Sequence, residues 1–190
     1  RRPRLCGRRR PVRWPAANPG DAKTDMLNTI LRVLREIAAL LRGPYSTPLI
    51  KIPGIGAAVA YASGDAFGTM FELPAPRIGT IESLMFYDVD DEGLAKTLLL
   101  YTGRIEATTD NDPMAVNDSD IRLAIGHIQL EAADYEDFGT SRLGTVRKIN
   151  LSYEAPDRRV YGQWMTRGAD NIAAGSEPLF RLQIRPHGGD

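Results

Sequence analysis

The hydrophobic residues between positions 26 and 43 recur at alternating steps of three and four. This spacing predicts an amphipathic α-helix, because residues three and four apart share one face of a helix. Thr24 or Asp25 is a suitable N-cap, and Gly43 followed by Pro44 is a typical helix end. We therefore expect one helix over residues 26–43. Its apolar stripe consists of Leu27, Ile30, Leu34, Ile37 and Leu41.

The side chains of this stripe favour association between copies of the chain. Read as a heptad, the stripe has leucine at position a and isoleucine at position d, which shifts coiled coils away from dimers toward trimers or tetramers. Two heptads are too short to form a stable coil unaided, so the helix needs support from its own domain or from neighbouring subunits. Packing on its own domain and lying on a membrane surface are the alternatives to self-association.

From Tyr45 onward the pattern changes to an alternation of apolar and polar residues, which is typical of strands with one buried face. In the last such segment, Phe180, Leu182 and Ile184 alternate with arginine and glutamine. The alternating segments are 126–133, 145–155, 160–168 and 178–187. Further short strands are expected at 48–52, 57–62 and 67–73.

Two segments, 80–89 and 96–102, are apolar on both faces. Such segments predict central strands that are covered on both sides. Short strands joined by turns, with no alternation of strands and helices, indicate an all-β fold. We expect an antiparallel β-sandwich or jelly roll over residues 44–190, with one N-terminal amphipathic α-helix.

The charge is distributed unevenly although the net charge is zero. Residues 1–13 contain seven arginines and no acidic residue, so the remainder of the chain carries a net charge of −7. We expect residues 1–25 to form a disordered basic leader. Its proposed roles are a nucleic-acid-binding arm, a targeting peptide or a tail that docks on an acidic partner; it could equally be an upstream extension before a start at Met26. The single cysteine, Cys6, excludes a disulfide within the chain and indicates a reducing cytoplasm.

No pattern in the sequence predicts catalysis. Residues 88–93 imitate the start of a calcium loop, but Leu99 occupies the twelfth position, where a glutamate belongs, so a turn explains them better. The acidic segment 110–120 offers oxygen ligands for a cation, and the preferred interpretation is a loop whose side chains cap its own backbone. His127 and His187 lie in no metal or nucleophile motif. We therefore expect no enzymatic activity, no metal and no cofactor.

The body resembles small structural proteins of tailed bacteriophages in a recurring string of features. These features are AYASGDAFG (60–68), IGTIESLMFYDVDDEGLAKTLLLY (78–101), TDNDPMAVNDSDIRLAIGHIQL (109–130) and VYGQWMTRG (160–168) with the final alternating strand. The family comprises virion components and includes capsid decoration, or cement, proteins that sit as trimers on the shell. The resemblance covers residues 57–186 and does not include the helix.

This resemblance implies a homotrimer that stabilises the phage head by bridging major capsid subunits. The implied partners are further copies of the chain and the major capsid protein, with no nucleic acid required and no membrane. The implied location is the capsid surface of the virion, after assembly in the host cytoplasm. The alternative is a head-fibre or tail-associated module that binds carbohydrate or a receptor. Its candidate aromatic residues are Tyr61, Tyr101, Tyr135, Tyr153, Tyr161 and Trp164.

Overall fold

The computed structural model describes residues 19–41, 43–56, 59–173 and 177–187. Its one α-helix, α1, spans Pro19–Leu41 and therefore begins before the expected start at Met26. Proline is favoured at the first position of a helix, where no backbone N–H is needed. The expected cap residues lie inside the helix, and Thr29 Oγ1 donates a hydrogen bond to the carbonyl oxygen of Asp25 at 2.9 Å. Residues 1–18 of the expected leader lie outside the described residues.

The body consists of antiparallel strands in two main sheets, as predicted, with a third pair of short strands. The first sheet has the order β1-β12-β5-β9-β8, with β2 also paired to β12, and the second has the order β4-β10-β6-β7. Strands β3 and β11 form the separate pair. The strands are β1 Tyr45–Ser46, β2 Ile50–Lys51, β3 Val59–Ala60, β4 Ala66–Pro74, β5 Ile78–Asp88, β6 Lys96–Tyr101, β7 Ala124–Leu130, β8 Tyr135–Asp137, β9 Arg142–Glu154, β10 Arg159–Thr166, β11 Asn171–Ile172 and β12 Leu179–Pro186.

Eight of these strands have the connectivity of a jelly roll. Strands β2, β5, β9 and β12 lie in the first sheet in the order β2-β12-β5-β9, and β4, β6, β7 and β10 lie in the second in the order β4-β10-β6-β7. The chain therefore crosses repeatedly from one sheet to the other, as in a double Greek key. The predicted central strands β5 and β6 each have a neighbour on both sides. The all-β fold with one helix is confirmed.

The core lies between the two sheets and is centred on an aromatic cluster. The ring of Trp164 lies 5.0 Å from that of Phe86 and 5.3 Å from that of Phe180, both across the sandwich. Phe71 contacts Phe180 at 4.7 Å between ring centroids. All these contacts are tilted or edge-on, which is the arrangement that aromatic pairs prefer. The two sheets are therefore held together by apolar side chains contributed by both.

The segment between β6 and β7 covers the outer face of the second sheet. Ile105 is buried there against Tyr101 and Tyr161, and Val116 and Leu123 pack on the same cluster. This cover explains why β10 is buried on both faces rather than on one. The body thus buries its core within one chain. Five large apolar side chains remain exposed on its surface: Leu49, Ile78, Val89, Ile121 and Phe138.

Candidate functional site

The apolar stripe of α1 is the largest exposed hydrophobic feature that the structure describes. Seven of the twelve large hydrophobic side chains that are exposed among the described residues lie on this helix. Of the predicted contact residues, Leu27 is 61% exposed and Ile37 is 46% exposed, and Ile30 and Leu34 are also exposed. Leu41 ends the helix, and its side chain lies outside the described residues. Four of the five predicted residues therefore share one exposed face.

The stripe is also wider than the a and d positions alone. Leu31 and Val33 occupy the flanking heptad positions e and g, and both are exposed. Among the described elements, no strand packs extensively against α1, so the body does not cover this face. A broad apolar face without cover is unfavourable in water, because burying one leucine or isoleucine side chain contributes about 1.5–3 kcal/mol. The helix is therefore suited to packing against another protein surface.

The alternative that α1 lies on a membrane surface stays a prediction. None of the described helices is both long enough and apolar enough to cross a bilayer. The face opposite the stripe carries Asn28, Thr29 and Arg32, all exposed. The helix is thus amphipathic along its described length, as the spacing predicted.

The segment at 88–93 forms a turn, which confirms its interpretation. The carboxylate of Asp88 accepts hydrogen bonds from the backbone N–H groups of Gly93 at 2.7 Å and Asp90 at 3.3 Å. Asp91 forms an ion pair with Arg142 at 2.9 Å. These carboxylates are therefore paired with donors of the protein itself, and they fix the connection between β5 and β6.

The acidic segment 110–120 is tied to the body by Asp110. This carboxylate accepts hydrogen bonds from the N–H of Gly68 at 2.7 Å, the N–H of Gly56 at 3.0 Å and the hydroxyl of Tyr61 at 2.9 Å. Gly68 has a positive φ, and a Cβ there would lie 2.6 Å from the carbonyl oxygen of Pro53. Burial and the hydrogen bond to Asp110 raise the pKa of Tyr61. Asp110 thus caps distant backbone rather than its own loop.

Three donors around one carboxylate make Asp110 a structural anchor. In the parts of the chain that the structure describes, no group of three or more His, Cys, Asp or Glu side chains is placed to hold a metal ion.

His187 lies at the end of the last strand, with Nε2 2.8 Å from Thr80 Oγ1. His127 is exposed on β7, which is an edge strand of the second sheet.

The aromatic residues considered for carbohydrate binding are mostly part of the core. Five of the six are buried, and Tyr135 is half-buried with its hydroxyl donating to the carbonyl oxygen of Leu94 at 3.1 Å. Stacking on a sugar requires an exposed ring face, which the buried rings do not offer. The buried residues are Tyr61, Tyr101, Tyr153, Tyr161 and Trp164.

A buried ion pair between Lys96 and Asp170 was not predicted. Lys96 Nζ lies 2.7 Å from Asp170 Oδ1, and the two side chains are 1% and 0% exposed. Burial raises the pKa of Glu92, and repulsion from the nearby Asp170 carboxylate raises it further. A sequence signal for Lys96 existed: it precedes Leu98 and Leu100 by two and four residues, so strand alternation places it on their inward face.

Neither a protein-family model, nor a curated protein, nor a solved structure matches this chain. The resemblance to phage structural proteins therefore depends on the sequence features alone.

Proposed function

We propose that this chain is a structural assembly protein whose copies associate through α1, as a homotrimer. The observation that carries the proposal is the continuous exposed apolar face of α1 beside a body with its own closed core. A folded chain that leaves such a face exposed has a surface to bury on association. Catalysis has no part in this proposal.

A second copy of the chain is the occupant that the stripe suits best. Leucine at a and isoleucine at d fit the packing of three- or four-stranded coils, and the exposed residues Leu31 and Val33 extend the contact beyond a two-stranded seam. The helix has 23 residues, and no strand among the described elements packs extensively against it, so the tertiary packing that stabilises most helices in proteins is largely missing within one chain. Association would therefore stabilise the helix and cover the stripe in the same step.

The finer proposal is that the trimer is a capsid decoration protein of a tailed phage. On this proposal it binds the virion surface and bridges major capsid subunits, with the β body outermost. The support is the resemblance of residues 57–186 together with the jelly-roll connectivity, which occurs in viral capsid proteins and in lectins. Because one fold serves several functions, the fold alone does not decide between them. Identical contacts repeated around a symmetric shell would add through multivalency.

The oligomeric state tests the proposal directly. The purified chain is expected to show three times its own mass in light scattering, and the double variant Ile30→Asp/Ile37→Asp is expected to be monomeric. Charged residues at d positions cannot be buried in a coil without a partner charge. The control is Asn28→Asp, which adds one negative charge on the polar side of α1 and should remain trimeric.

A wild-type chain that stays monomeric at high concentration would contradict self-association through α1. So would a double variant that remains trimeric with the same circular dichroism. Co-sedimentation with tailed-phage capsid shells separates the two levels of the proposal. A trimer that does not bind any shell supports assembly through α1 and contradicts the decoration function.

A further inference from the structure

The pair formed by Lys96 and Asp170 brings an amine and a carboxyl group together inside the sandwich. Lys96 begins β6 and Asp170 follows β10, so the contact joins positions 74 residues apart in the chain. The distance between Nζ and Oδ1 is 2.7 Å. Both side chains are buried, so water has little access to either group.

The surroundings of the pair are mainly aromatic. Lys96 Nζ lies 5.0 Å from the ring centroid of Phe67 and 5.4 Å from that of Phe86. The same nitrogen donates to the carbonyl oxygen of Leu94 at 3.2 Å, and the hydroxyl of Thr166 donates to Asp170 Oδ2. Removing two charges from water is costly, and transfer of one proton from Nζ to the carboxylate removes both charges.

We propose that Lys96 and Asp170 condense to form an intramolecular isopeptide bond. Proton transfer from Nζ to Oδ1 leaves a nucleophilic amine next to Cγ of Asp170. The nitrogen lone pair attacks Cγ, and the hydroxyl of Thr166 stabilises the charge that develops on Oδ2. A second proton passes from nitrogen to Oδ1, the bond between Cγ and Oδ1 breaks, and water leaves.

The reaction consumes one ammonium and one carboxylate and yields one amide and one water, so it needs no oxidant, reductant or other co-reactant. Its driving force is proximity, since effective molarities of well-oriented intramolecular groups reach on the order of 10⁵ M or more. The product is a covalent link between the start of β6 and the segment after β10. Such a link would resist unfolding of the second sheet independently of any association through α1.

Intact mass spectrometry of the denatured full chain is the decisive measurement. The expected mass is lower than the sequence mass by one water molecule. Trypsin does not cleave after an amidated lysine, so digestion should release a branched peptide that joins the segments containing Lys96 and Asp170. The variants Lys96→Arg and Asp170→Ala should each have the full mass.

The matched control is Lys51→Arg, because Lys51 forms an exposed ion pair with Glu177 and should not affect the bond. Full sequence mass and only linear peptides after prolonged incubation of the wild-type chain would overturn the proposal. Water loss that fragmentation assigns to other residues would overturn it too. The decision rests on the wild-type chain, so poor folding of a variant does not obscure it.

Discussion

The stripe of α1 and the inward faces of the two sheets are built from the same kinds of side chain, yet they end in opposite environments. Leu84 on β5 is completely buried between the sheets, whereas Leu34 on α1 is 56% exposed. Both residues lie on a regular apolar face that the sequence pattern predicts. The pattern thus identifies a face that is suited to burial, and it does not say whether the cover comes from the same chain.

The difference follows from the number of partners that each element has within the chain. A sheet in a sandwich always has a second sheet opposite, so its apolar face is covered as soon as the chain folds. The helix α1 precedes the body and has no described layer against it. Stability of the body and association through the helix should therefore be separable properties.

Matched leucine substitutions give the largest expected effect and test this separation. Leu84→Ala should lower the free energy of unfolding by about 2–5 kcal/mol, because it leaves a cavity between the sheets. Leu34→Ala should change it by less than about 0.5 kcal/mol when measured at concentrations where the chain is monomeric. Urea denaturation followed by far-ultraviolet circular dichroism provides the measurement.

In an association assay, the order of the two effects should be reversed. Leu34→Ala is expected to weaken the trimer, whereas Leu84→Ala should affect it only to the extent that the body unfolds. Similar losses of folding stability in the two variants would contradict the comparison. They would mean that α1 is covered by its own body.

Long alternating segments were the part of the fold that the sequence predicted best. The inward set Phe180, Leu182 and Ile184 is completely buried, as expected for a strand with one face on the core. The segments that are apolar on both faces became β5 and β6, each in the interior of its sheet. In these cases the periodicity extends over enough residues to determine both the element and its buried face.

Short strands and the start of α1 were not predictable in the same way. Strand β8 lies outside the segments expected to form strands, and it forms by pairing Tyr135 with Gly144 of the long strand β9. A strand of three residues has no measurable period, so its partner decides its conformation. The first turns of α1, from Pro19, carry Ala22 but no large apolar residue, and the pattern therefore placed the start at Met26.

Polar contacts between distant segments could not be derived from spacing. Asp110 was considered as a cation ligand or as a cap of its own loop, and its partners lie 42 to 54 residues away along the chain. Only the three-dimensional arrangement brings those N–H groups to one carboxylate. The inward position of Lys96 could have been predicted from alternation, but its partner Asp170 could not.

Substitution of Asp110, which lies in a loop of the body, should have an intermediate effect on the free energy of unfolding. Asp110→Ala removes the acceptor of the N–H groups of Gly56 and Gly68 and of the Tyr61 hydroxyl. Leaving such donors without a partner costs about 1–3 kcal/mol. The free energy of unfolding should fall by that amount, measured by urea denaturation.

Two further observations sharpen the Asp110 prediction. The pKa of Tyr61 should move toward its ordinary value in the variant, since a hydrogen bond that raises it is lost. Ultraviolet titration of the tyrosines measures this change. Asp112→Ala is the matched control, because Asp112 is exposed and, among the described residues, its backbone oxygen rather than its side chain accepts a hydrogen bond, from Ala66. Equal losses in the two variants would show that Asp110 is not the anchor of the loop.

The smallest effect is expected for an exposed ion pair on the body. Arg77 Nη2 lies 3.3 Å from Glu154 Oε1, and both side chains are 57% exposed. Solvent screens such a pair and two long side chains must be ordered to form it, so Arg77→Gln should lower the free energy of unfolding by less than about 1 kcal/mol. The difference should shrink further in 1 M salt, where the screening length is about 3 Å. A loss as large as that of Leu84→Ala, or one that persists in salt, would show that surface charge stabilises the body as much as core packing does. The difference in stability between the body and α1 would then not depend on apolar burial alone.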